Sequence, residues 1–456
     1  MKTIITALLI LIALTSAAQR TFIYRNDNKF TRFNSATTFS HEGNLESGFT
    51  VTANGETIPA GAVDSIVFRT IDIPTIYIET PDMPQLKELE SKEDYLNAYI
   101  HVEGNGFIDD FEGASGKIKG RGNSTWHFAK KPYRIKFDKK QSIGGFVKAK
   151  NYVLLANFAD PTKIKNMLVF WLANRLGIEF SNTTIPCDVI FNGIWKGSYI
   201  MTQKVGISPE SVNIDENRGI LFELSVEYDE DYKFKSPVYQ LPVMVKDPDF
   251  SDLEQTDPSI SAQERLRLWQ DDFSIAERAA DNGDGFSYFD MNSFIDYILV
   301  NDFVANNEIG YPKSVYIYKE GLENGEKYKF GPLWDFDIAF NIDRMDNGEI
   351  NSEVIDPNMS IWLNPLFVSL SSDPNFKAAY KARVKELIED ILPEFMKQID
   401  IYASAVEPSA KTDGLIWGDN NLNWIYAHSS FDYKNHIEKL RSWVIRRSQY
   451  LKSKYL

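Results

Sequence analysis

A single cysteine, Cys187, in a chain of 456 residues decides how this protein must hold itself together. Without a second thiol there is no internal disulfide and no thiol-rich metal site, so stability has to come from a large apolar core. At 43% hydrophobic and 13% aromatic the chain can build one, as one big domain or as two or three ordinary ones. Cys187 lies in the apolar run TIPCDVIF, where a thiol behaves as a small buried hydrophobe rather than a nucleophile. The five histidines include no pair spaced for zinc.

The first eighteen residues, MKTIITALLILIALTSAA, combine one lysine, an apolar run from Ile4 to Leu14, and small residues Ser16 and Ala18 placed for cleavage before Gln19. A spanning helix wants about 20 apolar residues, so this shorter run predicts a signal peptide over 1–18 rather than an anchor. The expected product is exported, to the periplasm, cell surface or medium, with no membrane span after cleavage.

Net charge is -15, which argues against binding nucleic acid over a wide surface. Its distribution is uneven. Between Lys117 and Lys150 eleven lysines and arginines stand against one acid, Asp138, and such an island attracts anions.

Residues 19–73 read as a small β-rich leader module, with Asn54-Gly55 as a hairpin signal, followed by a proline-rich stretch, IDIPTIYIETPDMPQ, suited to a linker or an edge strand. The rest, 74–456, reads as α+β with a mixed or antiparallel sheet and a helical C-terminal part from about 366. KPYRIKF alternates Tyr133, Ile135 and Phe137 on one face with Arg134 and Lys136 on the other. FADPTKIKNMLVFWLANRLG predicts a helix with Asp160 as N-cap, Pro161 as first residue and Gly177 as stop. A hairpin should turn at Asn192-Gly193, and Asp290 should cap a helix over DMNSFIDYILVNDFVANNE. The acidic segment 225–285 is expected to form surface excursions around a short helix near Glu264 to Trp269.

GPLWDFDIAF places Asp335 and Asp337 one residue apart among apolar neighbours. Read as a strand, it turns Trp334 and Phe336 one way and both carboxylates the other. Two like charges about 5 Å apart at an effective dielectric near 20 repel by roughly 3 kcal/mol, so the pair needs a lysine, water or metal beside it. Magnesium on nucleotide phosphates meets that need, being held by one or two carboxylates plus phosphate oxygens. KGRGNSTW adds a Gly-Arg-Gly turn whose amides and Arg121 would cradle phosphate, the ordinary alternative being a plain tight turn.

Together KIKGRGNSTW, KKPYRIKF, NYVLLANFADPTKIKNML, VIFNGIWKGSYIMTQKV, LFELSVEY, YILVNDFVANNE, SVYIYK and GPLWDFDIAF resemble the CotH kinase family of atypical, kinase-like proteins. The resemblance implies a divergent protein-kinase-like core that binds ATP and Mg2+ and phosphorylates serine or threonine of a protein substrate. On that analogy Asp335 and Asp337 hold metal, Glu308 is the catalytic base, one of Lys131, Arg134 or Lys136 contacts phosphates, and Glu223 holds such a lysine. Three positions depart from the family pattern: Glu308 stands for aspartate, Gln203 for glutamate in TQK, and Lys165 for arginine before Asn166. These departures leave a nucleotide-binding pseudokinase or surface scaffold as the second reading. A third, from 9 tryptophans and 22 tyrosines, is a carbohydrate-binding protein, against which core packing is the preferred account of the rings.

Overall fold

The computed structural model describes residues 20–26, 30–33, 39–44, 48–53, 55–69, 71–310, 312–323, 325–341, 363–418 and 432–456. The expected signal peptide and Asn54 lie outside these residues. The described chain is α+β and divides into two compact units. Unit 1 comprises 1–163, 185–202 and 403–433, and unit 2 comprises 164–184, 203–402 and 434–456.

Unit 1 begins with six short strands: β1 (Arg20–Arg25), β2 (Phe30–Phe33), β3 (Phe39–Asn44), β4 (Gly48–Ala53), β5 (Glu56–Pro59) and β6 (Val63–Arg69). They form two three-stranded sheets, β2-β1-β6 and β3-β4-β5, and β4 pairs antiparallel with β5 across the expected hairpin turn. Seven further strands close a barrel in the order β10-β11-β13-β12-β7-β8-β9. They are β7 (Thr75–Glu79), β8 (Leu96–Glu103), β9 (Phe111–Gly120), β10 (Tyr133–Gln141), β11 (Ala149–Leu155), β12 (Ile185–Phe191) and β13 (Ile194–Gln203), whose last residue belongs to unit 2. All their described pairings are antiparallel except β7 with β12.

The barrel follows from period-2 patterning. Tyr133, Ile135 and Phe137 point inward with Ile118, Tyr152, Leu154, Cys187 and Tyr199, while Arg134 and Lys136 point out. β12 and β13 turn at Asn192-Gly193, both with positive φ, as the two-residue hairpin requires. Of the two expectations for the proline-rich stretch, linker or edge strand, it carries a strand, β7 of the barrel, because its prolines flank the strand rather than interrupt it.

A buried ion cluster ties residues 403–417 to the barrel. Asp413 accepts from the Ser198 N–H at 2.9 Å, pairs with Lys163 at 2.9 Å, and makes a short contact with Lys130. Lys130 also donates to the Ser198 carbonyl and sits 4.4 Å from the centre of the Tyr199 ring. Burial drives the Lys130 pKa down to about 8, and the two lysines hold Asp413 below the usual carboxylate range against the opposing effect of burial. Gly197, at φ +104°, makes the approach possible: a Cβ there would stand 2.2 Å from Asp413 Oδ2.

Nearby, Asp188 accepts from Trp195 Nε1 at 3.0 Å and from Ser409 Oγ at 2.5 Å. Burial pushes its pKa up to about 8, helped by Asp72 and Asp413 and opposed by the two donors. A carboxyl with a raised native pKa makes the native state bind more protons than the unfolded state between pH 3.8 and about 8. Stability should therefore fall as pH rises through that window, with a slope of up to about 1.4 kcal/mol per unit from this group. Asp188→Asn keeps both acceptor bonds and should flatten the decline; thermal midpoints at pH 5, 6.5 and 8 for both proteins would check this, and parallel curves would refute it.

Unit 2 carries an antiparallel sheet in the order β15-β16-β14-β17-β18, from β14 (Ile220–Leu224), β15 (Lys233–Lys235), β16 (Pro242–Asp247), β17 (Val315–Lys319) and β18 (Lys329–Phe330). Its helices are α1 (Lys165–Leu176), α2 (Phe250–Thr256), α3 (Ala262–Asp281), α4 (Met291–Phe303), α5 (Pro365–Ser371), α6 (Pro374–Glu386) and the first part of α7 (Leu392–Trp417), followed by α8 (Tyr433–Tyr455), whose first residue belongs to unit 1. Asp290 caps α4 by accepting from the Ser293 N–H, and Gly177 ends α1 in the left-handed region, both as expected.

Two expectations fail here. Asp160 does not cap α1: it accepts from Thr162 N–H and Oγ1, and Lys163 at φ +60° delays the helix to Lys165. The segment 225–285 holds two strands and the 20-residue α3 rather than excursions around a short helix. Trp269, Phe273, Ala276 and Ala280 bury one stripe of α3, and Ser261 caps it.

Candidate active site

The site in unit 2 is built at the C-terminal end of α4. Asp302, fully buried, pairs with Arg447 at 2.7 Å and accepts from Tyr380 and Tyr455 hydroxyls, so α6 and α8 pin the helix end. Beyond it Ala305 turns at φ +50°, and Asn306 donates to Asn301 and accepts from the Glu308 N–H. Glu308 thus opens a short 3-10 turn, Asn307–Gly310, on a fixed base.

The segment 331–340 is not the strand that alternation predicts. Only Lys329–Phe330 pairs with β17; Pro332 has no N–H for the ladder, and Asp335 adopts φ +67°. The loop is held by other means. Trp334 and Phe336 both pack on Phe170 of α1, Gly331 donates to the Tyr316 carbonyl, and Phe340 donates to the Val304 carbonyl. Asn166 makes the tightest grip: its amide donates to Asp337 Oδ1 and accepts from the Phe336 N–H, while Lys165 donates to the Asp337 carbonyl at 2.9 Å.

These contacts bring the two aspartates to Glu308 by a route other than strand alternation. The charged neighbours of Glu308 are Asp335, Lys313, Asp337 and Glu227. Burial first, and then Asp335, Asp337 and Glu227, raise the Glu308 pKa to about 8 against Lys313, which pairs with Glu227 at 2.9 Å. An excess of negative charge in a half-buried place attracts a divalent cation. Among the described residues no group of three or more His, Cys, Asp and Glu side chains forms a metal cage by itself. One or two carboxylates completed by phosphate oxygens is the arrangement that suits magnesium.

Of the other expected residues, Glu223 lies on β14 with its carboxylate 2.9 Å from Lys246, a residue that sequence reasoning missed. The register slips between Leu221 and Phe222, leaving Lys246 as the extra residue of a bulge, and this turns its ammonium onto Glu223 and Glu230. Gln203 is buried and its carbonyl accepts from Asn182. Arg121, Lys131, Arg134 and Lys136 belong to unit 1. Lys131 donates to the Trp126 carbonyl, and Arg134 donates to Asn151 Oδ1. The amides of Gly120 and Arg121 donate to Ser91 and Pro132 carbonyls, and Gly120 leaves room for the Trp126 ring, so this turn serves barrel packing rather than a backbone phosphate cradle.

The family model described as CotH kinase protein matches residues 118–451. The chain belongs to the CotH kinase family. No curated protein matches it. As a CotH kinase it is kinase-like, and nucleotide use in general follows from the family. The match covers α1, the 331–340 loop, Glu308 and most of the barrel.

Proposed function

We propose that this CotH kinase transfers phosphate from magnesium ATP to a serine or threonine hydroxyl of a protein, using Glu308, Asp335 and Asp337. The observation that supports this reading is the surplus of carboxylates around Glu308, with Lys313 among them. Asp335 and Asp337 fit a magnesium ion, which when bound would neutralise charge on the phosphates. The acceptor oxygen would form a bond to the γ-phosphorus as the bond to the β–γ bridging oxygen breaks, and the hydroxyl proton would pass to Glu308. Lys313, and Lys246 held by Glu223, are the unit 2 cations we assign to phosphate oxygens. Asn166 and Lys165 orient the loop that carries the acids. A divergent kinase-like core and export through the N-terminal segment complete the proposal; among the described residues no helix is long and apolar enough to cross a membrane.

The raised Glu308 pKa favours one second reading, a nucleotide-binding form without turnover, since a protonated carboxyl accepts no proton. Core packing remains the preferred account of the rings over a carbohydrate site, since among the described residues the tryptophans are buried or half-buried.

Incubation with γ-labelled ATP, magnesium and a serine- and threonine-rich protein acceptor tests the first reading. Acid-stable label on the acceptor is expected, and its absence together with retained nucleotide binding would favour the form without turnover. A linked prediction concerns pH. Ionised Glu308 should attract magnesium and assist proton transfer, so magnesium-dependent nucleotide stabilisation should be larger at pH 8.5 than at pH 6.5, and Glu308→Gln should remove that difference.

A further inference from the structure

The cationic island of the sequence becomes a defined surface on the outside of the barrel in unit 1. Antiparallel pairing sets Lys117 of β9 directly opposite Lys136 of β10, and Lys119 opposite Arg134. Their intervening neighbours, Ile118 and Ile135, point into the core. Like charges directly opposite on one sheet face oppose folding. Several other cations of unit 1 are matched by acids, as Lys130 and Lys163 with Asp413, Lys196 with Glu88, and Arg25 with Glu56. Among the described residues none of Lys117, Lys119, Arg134 and Lys136 makes an ion pair. Exposed Lys139, Lys148 and Lys150 extend the surface, and Asp138 is the one acid between Lys117 and Lys150.

Dimensions and surroundings select the occupant. Successive outward residues of a strand are about 6.6 Å apart, so the pairs Lys119–Arg134 and Lys117–Lys136 follow one another at the spacing of alternate residues in an extended peptide, up to Asp138, the next outward residue of β10. No carboxylate stands among the four cations to share a divalent ion with a nucleotide. Tyr95 has Lys119 Nζ 5.0 Å and Arg134 Cζ 5.9 Å from its centre, and Tyr99 on the same outer face of β8 is exposed, so a stacked single-stranded nucleic acid is the competing occupant that the experiment has to separate.

We propose that the outer face of β9 and β10 docks an extended acidic segment of a partner protein, with Lys117, Lys119, Arg134 and Lys136 taking alternate carboxylates. This inference is independent of phosphate transfer. It assigns Arg134 and Lys136 to a peptide rather than to a nucleotide.

Fluorescence anisotropy of a labelled Glu-Ser repeat decapeptide, with the full chain at low salt, tests it. The peptide should bind, and the Lys117→Glu/Lys136→Glu protein should bind it about tenfold or more weakly with an unchanged thermal midpoint. Lys377→Glu/Lys381→Glu, which makes the same charge change on exposed α6 residues, should leave binding intact. Absence of binding, equal weakening by both double variants, tighter binding of a labelled ten-nucleotide thymidine oligomer, or displacement of the peptide by magnesium ATP would each overturn the proposal. Lys119→Gln offers a second variant that keeps size and should weaken the peptide severalfold if the first variant fails to fold.

Discussion

Asp413→Asn is expected to destabilise the fold by about 3–5 kcal/mol, the usual cost of leaving a buried charge without its partner. The asparagine still accepts from the Ser198 N–H, so the loss isolates charge rather than hydrogen bonding. Lys130 and Lys163 would remain buried with no carboxylate between them. Urea unfolding measures the change, and a difference below about 0.5 kcal/mol would mean the cluster contributes no more than a surface pair. Replacing Lys163 by methionine in the Asp413→Asn protein should recover part of the loss, because one uncompensated charge is then removed. A protein that unfolds further with both changes would contradict the electrostatic explanation.

The second large effect is on transfer. Asp335→Ala removes a carboxylate that we assign to the metal, and kcat should fall by about 100- to 1,000-fold, the range seen when one electrostatic stabiliser of a transition state is deleted. Glu308→Gln keeps shape and removes the base, with an expected loss of about 100- to 10,000-fold. Both side chains are partly exposed, so the thermal midpoint should change little. For Glu308→Gln it should rise slightly, since a carboxyl that burial keeps protonated is replaced by a neutral group. Unchanged kcat in either variant would remove that residue from the reaction.

Sequence patterning reached single strands of the barrel, though not its closure, because they obey period 2 and the turn between β12 and β13 carries its own chemistry. Tyr133, Ile135 and Phe137 against Arg134 and Lys136, and Asn192-Gly193, are local signals that the fold keeps. α3 was harder to read. Its buried positions Trp269, Phe273, Ala276 and Ala280 have helical spacing, but the surrounding acids suggest loops. Composition and family resemblance singled out Asp335, Asp337 and Glu308, but not their geometry. Strand alternation predicts one face for Asp335 and Asp337; the fold brings them to Glu308 through a left-handed residue, two aromatic anchors and the Asn166 clamp.

Long-range pairs left no local trace. Lys130 and Asp413 are separated by 283 positions, and neither neighbourhood marks the other. Lys246 was hidden for a related reason, since only the slipped register between β14 and β16 turns it onto Glu223. At the Gly-Arg-Gly turn the sequence left a phosphate cradle and a plain tight turn open, and the room that Gly120 leaves for Trp126 favours the second.

Thermal unfolding with ATP, in the presence of magnesium or of a chelator, is the most direct test of the acid cluster as a metal-nucleotide site. ATP with magnesium should raise the midpoint of the wild-type protein by several degrees, the chelator should abolish the rise, and Asp335→Ala should show none. A rise that survives the chelator, or is equal in the variant, would contradict the assignment of Asp335 and Asp337 to the metal.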